Sequence, residues 1–186
     1  MNIKDKNIII VGASSGLGKA LAENLIKEGC NLFLLSRRVK KIKFLFSATK
    51  ITCDITSSES IKKAFSFIDR KAGKIDVVIN CAGVGLAKKL ENSSIEEIES
   101  VIKTNLIGTI LVSREAYKKM LKSKGGHIIN ISSTSGKRAR EKEAVYCASK
   151  WGVVGFTQSL RLEGRPNKIK VTVVCPGGMK TSFYKG

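Results

Sequence analysis

Tyr146 and Lys150 stand four residues apart in "YCASK". On a helix that spacing puts both side chains on one face, within reach of each other. A free tyrosine ionises at about pH 10, too high to exchange protons readily at neutral pH. A lysine ammonium beside it favours the tyrosinate and lowers that value, which suits the phenol to general acid or base work. Ser133 follows the apolar run "HIINIS", and at the carboxyl end of a strand its hydroxyl can hold a carbonyl oxygen. Asn105 lies within "TNLIGT", where it is expected to interrupt its helix locally and help position a water for proton relay. Together the four describe proton transfer to or from a carbonyl. Each also has an ordinary reading: a half-buried aromatic, a solvated cation, a strand-end cap and a surface amide.

A second group of residues points to a nucleotide. "VGASSGLG", Val11 to Gly18, follows an apolar strand and carries glycines at Gly12, Gly16 and Gly18. Between strand and helix, this turn with Ser14, Ser15 and Leu17 presents backbone N–H groups and a helix dipole to a pyrophosphate. The alternative is a plain strand-to-helix turn. An NAD-binding domain usually has an acid at the end of its second strand to accept ribose hydroxyls. Here Ser36 takes that place and Arg37 and Arg38 follow it. A guanidinium fork matches a 2′-phosphate, and no carboxylate stands there to repel one. The expected cofactor is NADP(H).

Positioning these groups requires an ordered alternation of elements. Asn7–Val11 reads as a strand, followed by a helix with Leu17, Leu21 and Leu25 at i, i+4 spacing and Gly29 closing it. Asn31–Ser36 is a second strand. A short amphipathic piece (Val39, Ile42, Leu45, Phe46) leads to a weak third at Lys50–Cys53. Ser58 is read as the cap of a helix with Ile61, Phe65 and Ile68 inward, ending near Gly73. Ile75–Asn80 is a fourth strand. Ser94 and Glu97 form a capping box ahead of one long helix to about Lys122. His127–Ser132, a helix over Val145–Leu162, and Lys170–Cys175 complete the pattern. Continuous apolar strands alternating with helices imply a doubly wound parallel sheet, Rossmann-like, covered on both faces. With no repeat or linker, residues 1–186 read as one domain.

Composition narrows the function classes. No apolar run approaches the ~20 residues of a membrane helix, and the N-terminus lacks a signal-peptide pattern, so a cytoplasmic protein is expected. The five cysteines (Cys30, Cys53, Cys81, Cys147, Cys175) are odd in number and form no C-x-x-C pair, which argues against a disulfide framework or a zinc site. Thirty-four Lys+Arg against 15 Asp+Glu give a net charge of +19. That balance suits acidic partners, although most of the lysines are scattered over apparent solvated faces. One stretch, Cys30 to Cys53, has no acid and holds Arg37, Arg38, Lys40, Lys41, Lys43 and Lys50. Aromatics are only 6% of the chain and do not interleave with the cations, so nucleic acid is not the expected partner.

The G-x-x-x-G-x-G turn resembles that of the short-chain dehydrogenase/reductase family, and further motifs follow in family order. "CDI" is similar to the acidic motif after the third strand, which implies that Asp54, with Ile55, contacts the adenine. "NCAG" resembles N-N-A-G, with Cys81 replacing its second Asn, and implies cofactor contacts for Asn80, Ala82 and Gly83. "TNLIGT" sets Asn105 where the family has its catalytic Asn, "NISS" matches the serine strand, and "YCASK" matches Y-x-x-x-K. "PGGMKT" resembles P-G-x-x-x-T, implying cofactor contacts for Pro176, Gly177 and Thr181. The resemblance implies a serine about a dozen residues before the tyrosine, which selects Ser133 over Ser132; the latter, as an alternating neighbour, should face away. Lys150 is implied to hydrogen-bond the nicotinamide ribose as well. The long helices holding Asn105 and Tyr146 resemble those that pair subunits, implying a homodimer or larger.

Two readings from different classes stand at this point. One is an NADP(H)-dependent oxidoreductase interconverting a carbonyl and an alcohol, on a small-molecule or acyl-thioester substrate. The other is a nucleotide-binding relative that is catalytically weak or inactive. It arises because the family pattern continues beyond the Pro176-Gly177 turn to a covering segment and a seventh strand. With the sequence stopping at Gly186, about six strands are expected, with the sixth as an open edge.

Overall fold

The apolar runs become strands because Val, Ile and Leu fit a sheet that is covered by helices. A computed structural model describes residues 3–39, 42, 47–179, 181 and 183. Its strands are β1 (Asn7–Val11), β2 (Asn31–Ser36), β3 (Thr49–Thr52), β4 (Val77–Asn80), β5 (Gly126–Ile131) and β6 (Ile169–Val174). They form one parallel sheet in the order β3-β2-β1-β4-β5-β6. The chain therefore starts in the middle, winds out to β3, and returns to the other side of β1. The point of return lies between β1 and β4, and in such sheets the crevice at the strands' carboxyl ends there takes the ligand.

Helices α1 (Gly16–Leu25), α2 (Ser58–Ala72), α3 (Ile95–Ile102), α4 (Gly108–Lys122) and α5 (Ala144–Gly164) cover the sheet. Alternation along β1 sorts the core into two layers. Ile9 and Val11 join Ile61, Phe65 and Ile68 of α2 and Val112, Ala116 and Met120 of α4. Ile8 and Ile10 join Ala22 of α1 on the opposite face. Each of the large side chains so buried contributes roughly 1.5–3 kcal/mol. The covering is unequal: on the α1 side, Ile129 and Ile131 of β5 are only half-buried, and Lys170, Thr172 and Val174 along β6 include exposed positions at the sheet edge. Among the described residues no helix is long and apolar enough to cross a membrane.

The structure refines several local readings. Ser57, not Ser58, caps α2: its backbone is extended and its hydroxyl accepts from the Ser60 N–H at 3.2 Å, while Ser58 already lies in the helix. Leu21 and Leu25 pack against the α1-side core at half-buried positions. Gly18 and Ala22 are the buried residues, because the helix lies too close to β1 for large side chains. The helix after the Ser94–Glu97 capping box is interrupted by a π-helical turn at Lys103–Ile107, a local break of the kind expected at Asn105. Lys40, Lys41, Lys43, Leu45 and Phe46 lie outside the described residues, whereas Ile42 is buried in the α1 layer.

Candidate active site

Gly12 ends β1 with φ +81°, and a Cβ there would lie 2.8 Å from the Ala82 backbone. Gly16 opens α1 with φ +52°. A Cβ on Gly18 would lie 2.5 Å from the Gly12 carbonyl oxygen. The first and third glycines are therefore steric requirements of a strand, turn and helix packed against the loop after β4. Gly18 itself is buried beneath the turn, where it lets the helix approach. Ser14, Ser15, Gly16 and Leu17 do line the cleft, with Ala82 and Gly83 on its other side.

At the far wall, the Ser36 hydroxyl donates to Ser14 Oγ at 2.8 Å and accepts from the Arg38 N–H at 3.1 Å. The seryl side chain thus ties the glycine turn to the two arginines, which are exposed and line the cleft. Asp54 Oδ1 accepts from the Thr56 N–H at 3.0 Å and the Thr56 hydroxyl at 2.8 Å. The Thr56 N–H chiefly, helped by its hydroxyl and the Arg37 charge, holds the Asp54 carboxyl below its ordinary value. Ile55 lines the same end.

Helix α5 carries the proposed acid–base pair. Lys150 is 4% exposed, its Nζ donates to the Ile131 carbonyl at 3.1 Å, and it stands 5.7 Å from the centre of the Tyr146 ring. Burial lowers the Lys150 ammonium to about 8, because a charged group loses water there. The same burial pushes the Cys81 thiol up to about 12, against the pull of Lys150, so Cys81 is a protonated thiol at neutral pH. Ser133 lines the cleft with Tyr146, and its Oγ accepts from the Ser135 N–H at 3.1 Å. The Ser132 hydroxyl instead donates to the Lys150 carbonyl at 2.9 Å. Both serines border the cleft, and their hydroxyls take different partners.

Asn105 and Asn80 are both buried in hydrogen-bond networks. Asn105 is fully buried in the π-helical turn. Its Oδ1 accepts from the Val84 N–H at 2.8 Å, and its Nδ2 donates to the Val84 carbonyl at 2.9 Å and to Ser149 Oγ at 3.1 Å. With those partners the amide pins the loop after β4 to the helices. The Asn80 side chain likewise points beneath the cleft, and its Nδ2 donates to Asn130 Oδ1 at 2.8 Å and Ser113 Oγ at 3.2 Å. Asn130 Nδ2 continues the strip to Thr157 Oγ1 at 3.0 Å. Buried amide donors need such partners.

Several cleft residues escaped the sequence reading. Pro176, Gly177 and Thr181 line the cleft as expected, and Thr181 stands 3.7 Å from where a Gly16 Cβ would be. Beyond them, the Phe183 ring meets Tyr146 edge-on, centres 6.0 Å apart. Lys88, Glu97, Thr134 and Arg140 also line the cleft. Arg140 had a signal, a charged run between Ser133 and Tyr146; Phe183 had none.

Residues 6–186 match the family described as short chain dehydrogenase. The chain belongs to the short-chain dehydrogenase family. It is 31% identical to the 3-oxoacyl-[acyl-carrier-protein] reductase of Bos taurus, over 97% of this chain and 78% of that one. It is 34% identical to carbonyl reductase family member 4 of Danio rerio, over 96% and 77%. Among solved structures, an actinorhodin polyketide ketoreductase with NADPH superposes with a TM-score of 0.91 at 34% identity, over 95% of this chain and 72% of that one. The ligand-free aldohexose dehydrogenase of Thermoplasma acidophilum superposes at 0.90 and 31% identity, over 97% and 69%. This short-chain dehydrogenase is thus an oxidoreductase by family, and the family uses a nicotinamide cofactor.

Proposed function

We propose that this single-domain protein binds NADP(H) and interconverts a carbonyl and an alcohol, on a small-molecule or acyl-thioester substrate in the cytoplasm. The observation that carries the reading is the convergence of Ser133, Tyr146 and buried Lys150 on one cleft with the Gly12–Gly16 turn. The residues fit a dinucleotide: the turn is a steric cradle that a Cβ at Gly12 would fill, and Gly83 leaves open a point 3.5 Å from Lys150 Nζ. Gly12, Ser14, Ser15, Gly16 and Leu17 would hold the pyrophosphate, and Arg37 and Arg38 the 2′-phosphate. Asp54 and Ile55 would border the adenine, while Lys150, Pro176, Gly177 and Thr181 would border the nicotinamide half. When bound, the nicotinamide supplies or accepts the hydride.

Ser133 holds the carbonyl oxygen with its hydroxyl. Tyr146 gives that oxygen a proton in reduction and removes it in oxidation. Lys150 places a positive charge beside the phenol and so eases its ionisation. Asn105 acts as a positioning residue that holds Val84 and Ser149 around the pair.

The test is oxidation of NADPH by purified protein against ketones, aldehydes and β-ketoacyl thioesters. Turnover of one class supports the reading. The edge-on contact of Phe183 with Tyr146 favours a second reading, a nucleotide binder whose cleft does no chemistry. Binding of NADPH with no turnover across the panel would decide for it.

A further inference from the structure

Two loops meet at the substrate end of the cleft, residues 81–94 after β4 and residues 132–143 after β5. The Lys88 N–H donates to the Lys142 carbonyl at 2.6 Å and bridges them. The second loop carries Lys137, Arg138, Arg140 and Lys142 against Glu141 and Glu143. Of its cations, Arg140 lines the cleft. It is exposed, and its Nη2 donates to Thr134 Oγ1 at 3.1 Å, which aims the guanidinium from the residue next to Ser133.

The carboxylates on this wall already have partners. Glu97 accepts from Lys88 Nζ at 3.0 and 2.9 Å and from the Ser94 N–H at 2.9 Å. Glu143 Oε2 accepts from the Ser135 hydroxyl at 2.8 Å. Among the described residues Arg140 makes no ion pair, although its planar fork offers five N–H donors. The other arginines of the cleft, Arg37 and Arg38, follow β2, which lies three strand steps from β5, about 14 Å. The anion expected at β2 therefore does not use Arg140.

We propose that Arg140 is a specificity-determining residue that receives an anionic group, carboxylate or phosphate, carried by the carbonyl substrate. The substrate class is then a small oxo acid or phosphorylated ketone, its carbonyl at Ser133 and Tyr146 and its anion at the guanidinium, which fits both anions bidentately. This rests on the carbonyl-reducing reading of the cleft.

The test compares matched pairs at saturating NADPH: 3-oxobutanoate with its methyl ester, and dihydroxyacetone phosphate with dihydroxyacetone. The parent should prefer the anionic member of at least one pair by about 10- to 100-fold in kcat/KM, the range of a charge-assisted contact. Arg140→Met should bring that ratio close to one, chiefly through KM, and Arg140→Lys should restore part of it. Arg138→Met, in the same loop but off the cleft, should leave the ratio within about 2-fold and so controls for general charge. Equal kcat/KM within both pairs in the parent, or a preference that survives Arg140→Met, overturns the proposal. If nothing is reduced, the carbonyl reading fails, and thermal titration of the NADPH-saturated protein with 3-hydroxybutanoate and glycerol 3-phosphate still decides. A stabilising shift from either that Arg140→Met abolishes upholds the anion site; no shift overturns it.

Discussion

Ser132 donates its hydroxyl to the main-chain carbonyl of Lys150 at 2.9 Å, while the same lysine's Nζ donates to the Ile131 carbonyl at 3.1 Å. The end of β5 and the second turn of α5 are therefore tied in both directions, and this fixes how Ser133 faces Tyr146. Ser132→Ala should cost about 0.5–1.5 kcal/mol and lower the melting temperature by roughly 1–6 °C. Ser133→Ala should leave melting nearly unchanged and lower kcat by about 100- to 1000-fold, as expected for an oxygen-holding donor. Thermal denaturation beside NADPH oxidation checks both; the reverse pattern would exchange the serines' roles.

Tyr146→Phe keeps the ring that packs against Phe183 and removes the proton. Turnover should fall by about 10²- to 10⁴-fold, with NADPH affinity nearly unchanged. Lys150→Met should weaken both. Retention of most of the rate in Tyr146→Phe would assign the proton to another group.

The lowered Lys150 value predicts two pH effects of opposite direction. The group sits at about 8 in the folded chain and at about 10.4 when unfolded. Between these values the unfolded chain binds more protons, so this lysine's contribution to stability rises with pH from about 8 to about 10.4. Activity should move the other way, because the ammonium that eases Tyr146 ionisation is lost as pH rises through about 8. Melting curves and initial rates over that window measure the two, and Lys150→Met should flatten the stability rise.

Cofactor choice should depend on Arg37. At 100-fold over its dissociation constant a ligand stabilises by about 2.7 kcal/mol, or roughly 5–10 °C here. NADPH should reach that shift at lower concentration than NADH, and Arg37→Asp should narrow or reverse the gap. Equal shifts in the parent would remove Arg37 from the 2′-phosphate site.

Assembly is expected through the outer faces of the α4 and α5 region, where Ile107 (42% exposed), Trp151 (51%) and Leu162 (66%) present apolar surface. Large exposed apolar side chains in one region suit association. Light scattering at micromolar concentration should show a dimer or larger species, and Trp151→Glu should shift it toward monomer. A clean monomer in the parent would refute the expectation.

The strand, turn and helix order was legible in the sequence because it is encoded locally. β1 and β2 have the bounds read from "NIIIV" and "NLFLLS", since an unbroken apolar run between polar residues has few other solutions. The i, i+4 spacing of Tyr146 and Lys150 likewise determines a shared helix face whatever surrounds it. Tertiary structure decided where the polar side chains found partners. Asn105 and Asn80 carry amides that must be satisfied once buried. Val84, Ser149, Asn130 and Ser113, which hydrogen-bond to them, are 21 to 50 residues away in sequence. Only the fold brings those partners together, so it set both amides behind the cleft and brought Phe183 and Arg140 to its surface.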